Sequence, residues 1–157
     1  MDKVASAAEK EAVSLNRDRL APHERSAQMR RIRKVDTKPE LVVRRLVHAL
    51  GLRFRLHRRD LPGTPDIVFP GRMKAVLVHG CFWHQHPGCR LARKPKSRLD
   101  YWLPKLARNV ARDRDSAAQL EALGWSILTI WECETKATAT LRDRLAAFLL
   151  GKAAADS

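Results

Sequence analysis

A chain of 157 residues with a formal net charge of +14 and a pI near 10.7 has room for one domain with its own core and calls for a polyanionic partner, nucleic acid first among them. Three cysteines cannot pair off into a disulfide framework, so reduced thiols free to bind metal are expected. No apolar run approaches the ~20 residues of a bilayer span, and residues 1–5 do not begin a secretory leader, so a soluble, intracellular protein is expected.

Residues 1–24 mix Ala, Glu, Lys and Arg and read as an arm broken by Pro22 and His23. From Arg25 the chain becomes strongly basic around two isolated apolar residues, Met29 and Ile32, whose spacing puts both on one side of a helix, with Arg30 among the cations beside them. Thr37, Pro39 and Glu40 form a helix start with the pattern of a capping box. Leu41, Val42, Leu46, Val47 and Leu50 continue it at helical spacing, and Gly51 ends it.

Residues 52–57 alternate apolar and basic, which predicts a strand with one buried and one wet face. The turn at 61–65 leads into Asp66 and a buried strand, Ile67, Val68 and Phe69. Pro70 and Gly71 turn the chain into a third strand at 75–78, which makes an antiparallel meander. After a basic loop, 90–98, a helix is predicted over 99–123 with Leu103, Leu106, Val110, Ala117, Leu120 and Leu123 inward and Lys105, Arg108, Asn109, Arg112 and Arg114 outward. A strand at 125–131, following a helix and so parallel to its neighbour, and a last helix stopped by Gly151 complete one α/β domain. Trp125 and Trp131 are assigned to packing.

The chemistry concentrates in residues 79–89, which hold three of the six histidines and two of the three cysteines directly after an apolar strand. Zinc favours four thiolate or imidazole ligands at tetrahedral corners, and Cys81, His86 and Cys89 supply three; Cys133, at the end of another strand, is the remaining cysteine. A site closed by four protein ligands stabilises structure and leaves the chemistry to other groups. Asp66, with His79 and His84, offers a hard oxygen ligand for Mg2+ beside two imidazoles, a combination suited to metal-assisted phosphodiester hydrolysis. Phe82 and Trp83, between those histidines, and Trp102 after the basic loop could stack on or wedge between bases. Glu40 is open to two readings, helix cap or catalytic carboxylate.

Residues 79–86, the turn and strand at 61–66, Asn109-Val110-Ala111-Arg112-Asp113, and the segments 123–125 and 131–133 together resemble the very short patch repair DNA mismatch endonucleases, over roughly 25–151. The resemblance implies a restriction-endonuclease-like fold: a central mixed sheet flanked by helices, with a structural zinc site. It implies a Mg2+-dependent nick 5′ to the T of a T:G mismatch left by 5-methylcytosine deamination. By position, Asp66 and the main-chain oxygen of Val78 would hold Mg2+, although Val78 stands where the first-described members have Thr. His79 and His84 match the active-site histidines, with His84 the preferred base, and Glu40 matches a carboxylate near the metal water. Cys81, His86, Cys89 and Cys133 match the zinc ligands. Phe82, Trp83 and Trp102 match aromatics that enter from the major-groove side, and Met29 one that enters from the minor groove.

Arg30, Arg93, Lys94, Lys96, Arg98, Arg108, Asn109 and Arg112 are the expected further DNA contacts. The resemblance also implies a monomer acting on double-stranded DNA in the cytoplasm at the nucleoid, no membrane partner, and other mismatch-repair proteins as partners. The expected layout is an arm over 1–24, the endonuclease domain over 25–151 and a tail over 152–157. Two departures stand out: the extra residue between His86 and Cys89, and the absence of the PD-(D/E)xK pattern from the nuclease strand. The alternatives are a restriction-type nuclease of the same fold with another specificity, and a zinc-stabilised DNA-binding module without catalysis.

Overall fold

The computed structural model describes residues 35–151. Met29, Arg30 and the expected arm and tail lie outside them. None of the helices described is long and apolar enough to cross a membrane.

The first helix, α1, runs Lys38–Ala49. Thr37 caps it, its Oγ1 accepting the Glu40 N–H at 3.4 Å, but the expected box is only half formed. Glu40 Oε2 reaches one residue further back, to the Asp36 N–H at 3.1 Å, because its side chain is drawn into the interior. Gly51, at φ +76, takes the left-handed conformation beyond the helix end.

The predicted strand over 52–57 shrinks to β1, Arg55–Leu56. His57 adopts φ +46, which ends the pleat, and Leu56 is 39% exposed while Leu52 and Phe54 pack on the core from an irregular segment. β2 (Ile67–Phe69) and β3 (Lys74–His79) complete the antiparallel meander, and β4 (Ser126–Trp131) pairs parallel with β3. The sheet is mixed and four-stranded, in the order β1-β2-β3-β4.

Alternation along the strands explains the layers. Ile67, Phe69, Val76, Val78 and Ile130 point to one side, where Val43 and Val47 of α1 and Leu141, Leu145 and Leu149 of the last helix, α3 (Thr138–Leu150), cover them. Val68 and Ala75 point to the other side, against Leu120 and Trp125. That second cover is α2 (Leu99–Ala122), the crossover that parallel pairing of β3 with β4 requires. At the far end of the sheet, the last carbonyls of α3 receive Arg72 at Leu149 O (3.0 Å) and Lys74 at Phe148 O.

Two leucines predicted inward on α2 are exposed: Leu103 by 40% and Leu123 by 57%. Trp102 and Leu106, four apart, form the packed stripe of the first turns, which turns the Leu99/Leu103 stripe outward; Leu123 lies at the helix C-cap.

The turn before β2 aims Asp66. Gly63 has φ +71, and a Cβ there would stand 2.6 Å from Ser116 Cβ on α2, so only glycine lets the turn lie against the helix. Gly51→Ala meets the same backbone penalty with nothing within 4 Å, so it isolates the steric part. Gly63→Ala is expected to lower the melting temperature clearly more than Gly51→Ala, which should cost about 1 kcal/mol; equal losses in thermal melts would show that the docking is not tight.

Candidate active site and adjoining metal centre

Antiparallel pairing places the start of β2 beside the end of β3. Asp66 Oδ2 accepts the Val78 N–H at 2.7 Å, which fixes the carboxylate at the sheet end. Burial pushes the Asp66 carboxyl up to about 6; the Val78 N–H pulls the other way, Glu40 adds repulsion, and His57 and His84 oppose it. That carboxylate is open to a cation, since Oδ1 has no hydrogen-bond partner among the described residues.

His79 ends β3, and the turn closed by the His84 N–H on Gly80 O (3.1 Å) folds His84 back over it. The two rings stack 3.9 Å apart at 6°. His84 Nδ1 lies 2.6 Å from Asp113 Oδ2 of α2, a charge-assisted distance that holds the ring in place. Burial first and then His84 lower the His79 pKa, against an opposing Asp113, to about 4, so His79 is neutral at physiological pH. Glu40 approaches the same end of the sheet from α1, its side chain 3% exposed and paired with Arg44 at 3.1 Å.

Beyond His84 the chain tightens again, with the His86 N–H on Cys81 O (2.9 Å) and the Cys89 N–H on His86 O (3.3 Å). Cys133, in the 3-10 turn Glu132–Lys136 after β4, completes a group whose ligand atoms all lie within 4.8 Å of one another. Cys81 Sγ and Cys133 Sγ stand 3.7 and 3.5 Å from the same atom, His86 Nδ1, which carries one proton at most and cannot serve both thiols as a donor. Sulfur and nitrogen ligands on one tetrahedral zinc ion would be about 3.6 Å apart. The donors and their spacing therefore fit a tetrahedral metal ion, and the extra residue before Cys89 does not keep that thiol away. Burial pushes the Cys81 thiol up to about 12 and raises Cys133, while the Leu91 N–H lowers Cys89. The His86 ring stacks on Trp131 (4.2 Å, 9°), whose edge meets His79 at 5.3 Å, so Trp131 packs between the two sets.

Phe82 and Trp83, half-buried, stand with Trp102 in a cluster of edge-on and tilted rings 5.0 to 6.0 Å apart. Two amides hold their backbone: Gln85 Nε2 donates to Phe82 O at 2.6 Å and Asn109 Nδ2 to Trp83 O at 3.1 Å. Lys105 Nζ lies over the Trp83 and Tyr101 rings at 5.8 and 5.4 Å. An open cleft beside them is lined by Tyr101, Lys105, Arg108, Asn109, Arg112 and Asp115.

The sequence profile described as DNA mismatch endonuclease Vsr matches residues 17–90. The type II nicking enzyme V.XorIIP of Xanthomonas oryzae pv. oryzae is 54% identical over 128 residues, 82% of this chain and 93% of its own. The DNA mismatch endonuclease Vsr of Escherichia coli K12 is 36% identical over 124 residues, covering 77% of this chain and 79% of its own. The type II nicking enzyme V.NmeAIP of Neisseria meningitidis is 38% identical over 128 residues, 82% of this chain and 91% of its own. The chain belongs to the Vsr DNA mismatch endonuclease family. It is a DNA endonuclease, a hydrolase whose substrate is DNA.

For this Vsr-family chain the structure gathers Asp66, His79 and His84 at one sheet end with Val78 beneath them, and separately Cys81, His86, Cys89 and Cys133. Arg93, Lys94, Lys96, Arg98, Arg108 and Arg112 are exposed, whereas Asn109 is half-buried and already bonded to the loop. Three residues in this region, one of them within the motif at 109–113, were given no role from the sequence. Asp113 follows Asn109 by one helical turn, and that stripe was the available signal; Arg44 and His57 had none beyond Arg44 lying four residues after Glu40.

Because the Asp66 carboxyl binds its proton more readily folded than unfolded, it favours the folded state below pH 3.8, and that preference is lost as pH rises through about 6. In Mg2+-free buffer Asp66→Asn is therefore expected to melt several degrees above the parent at pH 8 and to show little gain near pH 4. A variant that melts lower at pH 8 would show that the carboxylate is not strained by its burial.

Proposed function

We propose that this endonuclease nicks one DNA strand, 5′ to the T of a T:G mismatch of the kind produced by 5-methylcytosine deamination, and that it requires Mg2+. The observation that carries the reading is the row His79, His84 and Asp113 beside Asp66, in which His84 shares its loop with Phe82 and Trp83 of the half-exposed aromatic cluster. Relatives named as a mismatch endonuclease and as nicking enzymes support it. The fold would be the restriction-endonuclease-like one, with the domain over 25–151 between an arm at 1–24 and a tail at 152–157.

Asp113 accepts a hydrogen bond from the His84 Nδ1–H and so leaves the Nε2 lone pair free to act as general base. His84 takes a proton from water as the water oxygen attacks phosphorus; the P–O bond to the sugar breaks, and the departing oxygen is protonated from solvent. Neutral His79, stacked on His84, excludes solvent from one face of that ring and can donate a hydrogen bond to the phosphate. Asp66 and the Val78 carbonyl would hold Mg2+, which when bound polarises the phosphate as a Lewis acid. Glu40 serves this site from α1. Cys81, His86, Cys89 and Cys133 would hold a structural zinc ion. Phe82, Trp83 and Trp102 enter beside the mismatch from the major-groove side, with Met29 on the other, while Arg30, Arg93, Lys94, Lys96, Arg98, Arg108 and Arg112 contact the phosphate backbone and Asn109 carries the Trp83 carbonyl.

On a labelled T:G duplex with Mg2+ the expected product is a single nick in the T strand. His84→Ala should slow it ~10²–10⁴-fold, and Asp66→Ala should reduce it to background. Cleavage of both strands of a matched duplex at equal rates would instead identify a restriction-type nuclease of the same fold.

A further inference from the structure

We propose that Arg44 and His57 are positioning residues that act on the reaction through Glu40, by deciding which of its two carboxylate oxygens faces the hydrolytic site. The proposal rests on the reading that Glu40 serves that site. Asp36, Glu40 and His57 offer ligand atoms within 4.8 Å of one another, the spacing of a metal cluster. The cation among them belongs to the protein itself: Arg44 Nη2 lies 2.7 Å from Asp36 Oδ1, 3.1 Å from Glu40 Oε2 and 3.0 Å from His57 Nε2.

These contacts fix more than charge. The Arg44 Nη2 atom carries two hydrogens, which its two carboxylate contacts, Asp36 Oδ1 and Glu40 Oε2, take up, and His57 Nε2 packs against the same nitrogen at 3.0 Å. His57 Nε2 also lies 3.5 Å from Glu40 Oε2, so its ring touches both members of the Arg44–Glu40 pair. Glu40 Oε2 also accepts the Asp36 N–H at 3.1 Å, so all the donors fall on one oxygen, and Oε1 has no hydrogen bond among the described residues. That oxygen is the one left for the site in which Asp66 feels the charge of Glu40.

Two further features show that the arrangement is constrained. Arg44 Nε is buried with no hydrogen-bond partner among the described residues, so the side chain is oriented for its terminal nitrogen at the cost of another donor. His57 holds a left-handed backbone (φ +46) while its N–H bonds Asp66 O at 3.1 Å, so one residue touches both the Asp66 segment and the Glu40 carboxylate.

The test is a double-mutant cycle on T:G nicking in Mg2+ with the full chain, following kcat and KM separately. Arg44→Ala should lower kcat ~10–100-fold with KM for the duplex unchanged, Arg44→Lys should recover part of the loss, and His57→Ala should lose less than Arg44→Ala. In a Glu40→Gln background each of these substitutions should add nothing. If Arg44→Ala does not fold, Arg44→Lys and His57→Ala complete the same cycle. Losses that multiply in the double variants, or that fall on KM, overturn the proposal. Glu40→Gln nicking at the parent rate would overturn the role of Glu40 itself, a result distinct from a failed cycle.

Discussion

Three thiols and an imidazole meet within 4.8 Å where β3 and β4 end, and the loop between His79 and Cys89 takes its shape from that meeting. The loop's two turns, closed on Gly80 and Cys81, are too short to hold a core of their own. They are fixed by Cys133, which arrives from β4, and by Trp131, which stacks on the His86 ring. Because β3 and β4 pair in parallel with His79 opposite Trp131, both strands deliver their ends to the same side of the sheet. The register of one strand pair therefore sets the position of the cysteine–histidine cluster.

From this anchor two functional sets diverge. His84 folds back onto His79 and Asp113, toward Asp66, while Phe82 and Trp83 point toward Trp102 and the basic face of α2. They alternate along only a few residues, so neither set can move far without the other. The helix α2 grips both, through Asp113 on one and Asn109 on the other, one turn apart. Asp66 comes from a different segment, held by Gly63 against that same helix at Ser116. A buried carboxyl pushed up to about 6 is an unfavourable component of the fold, of the kind that functional sites retain.

Much of this was legible from residue order. Thr37, Gly51, Gly124 and Gly151 mark helix ends by conformational need, and the meander and the parallel last strand follow from apolar runs and turn residues. The cluster of Cys81, His86, Cys89 and Cys133 was legible because cysteine is scarce in the chain. Asp113 was not, since its partner His84 is 29 positions away and the contact depends on the rotational phase of α2. Arg44 and His57 escaped for a similar reason: a capping pattern accounts for Glu40 locally, and only burial shows that its carboxylate is drawn inward. Leu103 and Leu123 were misplaced because helical spacing alone does not say which of two neighbouring stripes meets the sheet.

The central claim is that one metal-held loop couples mismatch opening to strand cleavage. It is tested most directly in Cys133→Ser by measuring three quantities on the same preparation: bound zinc, the fluorescence of a base analogue beside the T:G pair, and the nicking rate. The account predicts about one equivalent of zinc in the parent, and in the variant a loss of zinc with base opening and nicking falling together while the sheet's circular dichroism persists. Undiminished zinc, or nicking retained after the base-opening signal has gone, would contradict it.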